Sequence, residues 1–205
     1  MKLIRPTVLL VILALSTTGC FSLNKPYQGI SYHTLEYPPP TPANHPQLPV
    51  MLRVDRFGVA EAYNSGRIVY RDAAYARNSY VYHRWRTNPA PMIRDFLERD
   101  LRQSGICRAV LPPDSRLPAD YELTGKVEEI LEWDEREGRQ AVLAIQITLL
   151  DAKTTDATRQ VVFQATFSTR KQCPDNTPQG LAAAMSSAMT ELSGRIVEAV
   201  HDHMQ

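Results

Sequence analysis

Three consecutive stretches of period-two hydrophobicity, followed by one long stripe of helical period, restrict this chain to a sheet with helices laid on it. Tyr121, Leu123, Gly125, Val127, Glu129, Leu131 and Trp133 form one face of the first stretch. Leu143, Ile145, Ile147 and Leu149 form one face of the second, and Val161, Phe163, Ala165 and Phe167 one face of the third. Alternation of this kind marks half-buried strands. The connections Asp134–Arg139, with Gly138, and Lys153–Thr158 are polar and short enough for hairpins, which predicts an antiparallel meander. Asn176-Thr177-Pro178 then starts a helix whose buried stripe is Leu181, Met185, Met189, Leu192, Ile196 and Val200. From Pro178 to His203 it would run roughly 38 Å.

The first half of the chain repeats the theme on a smaller scale. Val50, Leu52 and Val54 alternate with Met51, Arg53 and Asp55, and Gly66–Arg71 and Ser79–Trp85 read as a β-hairpin around a polar loop. Asn88-Pro89 and Ser104-Gly105 bracket a helix with Ile93, Leu97 and Leu101 on its core face and Arg94, Glu98 and Arg102 opposite. Ile106–Leu111 is a short strand stopped by Pro112-Pro113. Strands, helix, strands, helix is an α+β pattern. The expected fold is a single domain with a mostly antiparallel sheet and two helices on one face. Arg53, Asp55, Glu122, Thr124, Lys126, Glu128 and Glu132 are expected on its solvated other face.

The N-terminus carries an address. Lys2 and Arg5 precede the apolar run Thr7-Val-Leu-Leu-Val-Ile-Leu-Ala-Leu15, and Ser16-Thr-Thr-Gly19 leads into Cys20. A basic end, a short apolar core and small residues describe an export signal. The run is about half the roughly 20 residues a membrane-spanning helix needs. The stretch resembles a bacterial lipobox, with Thr17 standing where that motif usually has Leu, and the resemblance implies a lipid on Cys20. Phe21-Ser22 lacks the Asp that retains enteric lipoproteins at the inner membrane, which favours the outer membrane and a periplasm-facing domain in the cell envelope. Residues 1–19 are thus expected to be the signal and 20–47 a lipidated tether. Its run Tyr37-Pro-Pro-Pro-Thr-Pro-Ala-Asn-His-Pro46 should be extended, with a short strand before it around Ser31–Tyr37. The α+β domain occupies 48–205.

Without Lys2 and Arg5 the net charge falls from +1 to −1, which argues with the export address against nucleic acid as a partner. In an oxidising compartment disulfides persist. With Cys20 lipidated, Cys107 and Cys173 are the candidates for a bridge, the alternative being two separately buried thiols.

Catalytic patterns are missing from the sequence. His33, His45, His83, His201 and His203 are scattered, and the last two do not share a helix face, so neither a metal nor a cofactor is expected. Glu128 and Glu132 could share a strand face, but no apolar pocket marks one of them for acid–base work. The nine glycines form no phosphate loop, and no GxSxG elbow occurs. The most unusual composition lies in residues 67–86, where arginines alternate with aromatics. Arg67, Tyr70, Arg71, Tyr80, Tyr82, Arg84 and Trp85 are residue types enriched at interfaces, and they form the candidate partner surface. The competing reading is a hairpin packed by its own cross-strand aromatics.

Several segments taken in order carry a family likeness. They are Pro49-Val-Met-Leu-Arg-Val-Asp-Arg-Phe57, Val69-Tyr-Arg71, Tyr82-His-Arg-Trp85 and Pro89–Met92. Ser104-Gly-Ile-Cys-Arg-Ala-Val-Leu-Pro-Pro113 and Ala119-Asp-Tyr-Glu-Leu-Thr-Gly125 complete the set. Behind a lipobox, this set resembles the ABC-type transport auxiliary lipoproteins, which include the Pqi-type membrane-integrity subunit. The resemblance spans roughly Tyr32 to Val200. It implies a non-enzymatic lipoprotein subunit of an MCE-type lipid-transport system, whose partners are an MCE-domain protein and its ABC permease and ATPase. The residues leave open whether the chain also forms a homo-oligomer. They also leave open a direct lipid carrier, with Met92, Met185 and Met189 lining a cavity under the helices.

Overall fold

The three long period-two stretches become strands β7 (Tyr121–Glu135), β8 (Gly138–Asp151) and β9 (Val161–Gln172), paired antiparallel in chain order. The computed structural model describes residues 28–40, 46–135 and 138–205. The expected export signal and Cys20 lie outside the described residues. β7 is the spine of the sheet. One of its edges pairs with β8 along its length. The other edge is shared, in parallel, by β2 (Leu48–Val54), β3 (Gly58–Val59) and β4 (Arg67–Arg71) in succession. β6 (Cys107–Leu111) adds to β2, and β5 (Asn78–Trp85) and β1 (Ser31–His33) add beyond β4. The long pairings are therefore antiparallel and the short ones mostly parallel, within one α+β domain.

Helix α1 (Pro89–Ser104) has the bounds its punctuation predicts: the Asn88 side chain accepts from the Ala90 amide at 3.0 Å, and Gly105 closes it at φ +70°. A single turn, α2 (Ala157–Gln160), interrupts the β8–β9 connection. α3 (Pro178–His203) is capped by Thr177, whose Oγ1 accepts from Gly180 N at 3.0 Å. α3 lies over β8 and β9, α1 over β6 and β7, and the two helices touch. The core between helices and sheet takes in Leu97, Leu101, Leu123, Ile145, Ile147, Leu192 and Ile196. Met92, Met185 and Met189 are part of that packed core.

Two expectations change. β7 does not keep its phase. Val127 faces Ile145 but Glu129 faces Ala144, so Glu128 is an extra residue and the strand bulges there. Beyond the bulge, the even residues take the helix side. Ile130 pairs with Leu143 and Glu132 with Ala141, while Leu131 and Trp133 pass to the outer face. Glu132, expected in solvent, is 1 % exposed.

The second change concerns the segment assigned to a tether. Leu35 enters the core, and the Glu36 amide donates to Ser186 Oγ on α3 at 2.9 Å. The Tyr37 hydroxyl donates to Asp100 on α1 at 2.7 Å, and Arg99 bonds the Tyr37 carbonyl while stacking on its ring. At the far end of the proline run, the Pro46 carbonyl lies 3.3 Å from His201 Nε2 on α3. Both ends of the run are thus held on the domain, because Leu35 and Tyr37 bury more when docked than when extended into water.

Candidate functional site: a polar cleft beneath the β4–β5 hairpin

The arginine–aromatic hairpin predicted from sequence exists, and its residues divide between inside and outside. Trp85 is only 2 % exposed and belongs to the core, which removes it from any partner surface. Tyr82, at 44 %, and Arg67 stay in water. Arg71 stacks on Trp133 of β7, 4.0 Å from the ring centre, and Arg170 of β9 lies at the same distance from that ring. Arg84 is half-buried. Tyr70 and Tyr80 turn toward each other, ring centres 5.1 Å apart.

What gathers beneath them was not legible as a site. The β4–β5 register runs Arg67–Arg84 and then Val69–Ser79, so residues 80–83 stand opposite Ile68 alone and β5 bows away from β4 there. The bow lays Tyr80 over β7, where the bulge has turned Glu132 the same way. The Tyr80 hydroxyl donates to Glu132 Oε1 at 2.8 Å. Arg139 donates to the Tyr80 oxygen at 3.1 Å, lies 3.5 Å from Glu132 Oε1, and reaches Asp134 Oδ2 through Nε at 3.3 Å. The same guanidinium donates to the Asn176 carbonyl just ahead of α3. His83 meets Tyr80 edge-on and stands 3.1 Å from His33 of β1, nitrogen to nitrogen.

These groups wall a cleft of about 470 Å³ lined by Tyr70, Asp72, Tyr80, Tyr82, Glu132 and Arg139, among others. Burial raises the Glu132 carboxyl above its ordinary range, against the opposing pull of the Tyr80 hydrogen bond and Arg139. Its second oxygen, Oε2, is buried without a partner. Burial also lowers the His33 imidazole, with His83 adding to the effect. The sequence signal was present in one place: the pair Ile130-Leu131 inside an alternating run, between Glu129 and Glu132, marks a break in phase.

Cys107 and Cys173 are free and buried, which corrects the expected bridge. Cys173 follows Gln172, level with Gln140 and Trp133, whereas Cys107 pairs with Leu48, beyond the Tyr121 end of β7. At least twelve residues of β7, roughly 40 Å of strand, lie between them. A disulfide needs Cα atoms within about 7 Å. Cys20 lies outside the described residues.

The model of the ABC-type transport auxiliary lipoprotein component matches residues 33–197, nearly the whole described domain. The chain belongs to that family. No curated protein matches this auxiliary lipoprotein. Among solved structures it is similar to a Xanthomonas campestris protein, with 22 % identity, TM-score 0.73, and 86 % of this chain and 96 % of that one covered. It is also similar to a hypothetical protein from Chlamydia trachomatis, with 10 % identity, TM-score 0.52, and 76 % and 98 % covered. At these identities the likeness is one of fold. Among the described residues, no helix of the auxiliary lipoprotein is long and apolar enough to cross a membrane.

Proposed function

We propose that this auxiliary lipoprotein is a non-catalytic docking subunit. Lipid on Cys20 would hold it at the outer membrane, facing the periplasm, where it positions an MCE-type ABC lipid-transport assembly. The observation that carries the reading is the family match, which spans the helices and the sheet together and begins at the docked segment. Because Ser31 is already part of the sheet, ten residues separate it from Cys20, a reach of at most roughly 40 Å. A domain on so short a lead works near the membrane surface. The carrier alternative requires room for acyl chains under the helices, and the three methionines that would line it are packed into the core.

Two measurements test the proposal. Cys20→Ala should move the folded protein from the membrane to the soluble periplasmic fraction and reproduce the barrier defect of a deletion. Full complementation by the soluble form would remove anchoring from the mechanism. Affinity purification of the lipidated chain from membranes should recover an MCE-domain protein, and recovery without one would sink the transport assignment.

A further inference from the structure

We infer that the cleft under the β4–β5 hairpin is a receptor for an arginine side chain presented by an extended segment of a partner protein. The inference deepens the docking role and rests on it for the partner; the chemistry of the cleft stands separately. Its lining holds three carboxylates, Asp72, Glu132 and Asp134, against one fixed cation, Arg139. Arg139 is already committed to Glu132 Oε1, Asp134, Tyr80 and the Asn176 carbonyl. Glu132 is 1 % exposed and its Oε2 has no partner. A buried carboxylate oxygen left unpaired is costly, and a small outward turn of Glu132, which lines the cleft, lets an N–H donor entering there complete it.

The donor's shape follows from the walls. Tyr70, Tyr80 and Tyr82 line the cleft beside the carboxylates, and Tyr82 is the most exposed of the three. A planar guanidinium stacks on aromatic rings while forking to a carboxylate, which an ammonium cannot do. This chain uses the same arrangement internally, where Arg99 stacks on Tyr37 and pairs with Asp100. The volume of about 470 Å³ exceeds one guanidinium and falls in the ordinary range of ligand sites. The rim points to a peptide rather than a lone ion: Val81 is 69 % exposed and Tyr82 44 %, both lifted out of the ladder by the bow in β5. Bulges recur beside binding sites because they re-aim side chains in this way.

The test uses the full chain in detergent and an acetylated, amidated peptide Ser-Val-Arg-Val-Ser, followed by calorimetry at low salt. The control replaces the arginine with citrulline, which keeps the shape and removes the charge. The arginine peptide should bind at least ten-fold more tightly than the citrulline peptide. Glu132→Gln, and separately Asp72→Asn on the exposed side of the cleft, should each erase most of that preference. Should Glu132→Gln fail to fold, Asp72→Asn still decides. Equal binding of both peptides, or binding of neither at millimolar concentration, overturns the proposal. Tighter binding to vesicles containing phosphatidylethanolamine than to phosphatidylcholine vesicles, lost in Asp72→Asn while the peptide preference is absent, overturns it in favour of a lipid amine. No transporter component enters these assays, so their failure is distinguishable from failure of the docking role.

Discussion

Tyr80 and Glu132 share a 2.8 Å hydrogen bond although each was displaced from its expected position by a local irregularity in its own strand. A bow in β5 delivers the hydroxyl and a bulge in β7 delivers the carboxylate. Tyr80→Phe keeps the ring and removes the donor, leaving a buried carboxylate with less to hold it. The expected loss is about 1–3 kcal/mol in urea unfolding at neutral pH.

The raised Glu132 carboxyl also sets a pH slope. The folded state keeps this proton at a pH where the unfolded chain has lost it. Its contribution to stability is therefore full below the ordinary carboxylate range and declines as pH rises through it toward the folded value. Glu132→Gln still accepts from Tyr80 and carries no charge to bury. The variant should gain stability relative to the parent as pH rises from 4 to 7, read from paired unfolding curves.

Asp100 is fully buried and holds three elements together. It accepts from Tyr37 Oη at 2.7 Å, from Ser193 Oγ on α3 at 2.6 Å, and from Arg99 Nε at 2.8 Å. Asp100→Ala strands the buried hydroxyls and weakens the hold on residues 31–37. A loss of about 3 kcal/mol is expected, with faster proteolysis near Tyr37 than in the parent.

Burial pushes both thiols up to about 11. At pH 7.5 the folded protein should react with iodoacetamide far more slowly than a free cysteine, and both thiols should be released in denaturant. Non-reducing peptide mapping should find Cys107 and Cys173 unlinked, and a double Cys→Ala variant should fold under oxidising and reducing conditions alike.

Two glycines are expected to respond with opposite sign. Gly105 sits at φ +70°, where a side chain is strained, so Gly105→Ala should cost about 1 kcal/mol. Gly194 lies within α3 with open space where a Cβ would stand, and Gly194→Ala should add about 0.5–1 kcal/mol. Thermal unfolding of the pair checks both.

The sequence alone determined the elements and the family. Periodicity located the meander and the core stripe of α3, and Asn88, Gly105 and Thr177 marked helix ends within a residue, because capping and alternation are local physics. The lipid anchor proposed at Cys20 rests on sequence alone, because that residue lies outside the described ones. Tertiary structure decided everything that depends on phase or on distant partners. One extra residue at Glu128 inverts the faces of β7, and period-two reasoning carries such an inversion forward unseen. The proline run reads as a spacer because its composition is extended; the docking of its two flanks depends on Asp100, Ser186 and His201, which lie far away in the chain. Elimination leaves Cys107 and Cys173 as either a bridge or two buried thiols, and the register decides for the thiols by setting them at opposite ends of the sheet. The cleft is the sum of two irregularities, so neither strand announces it by itself.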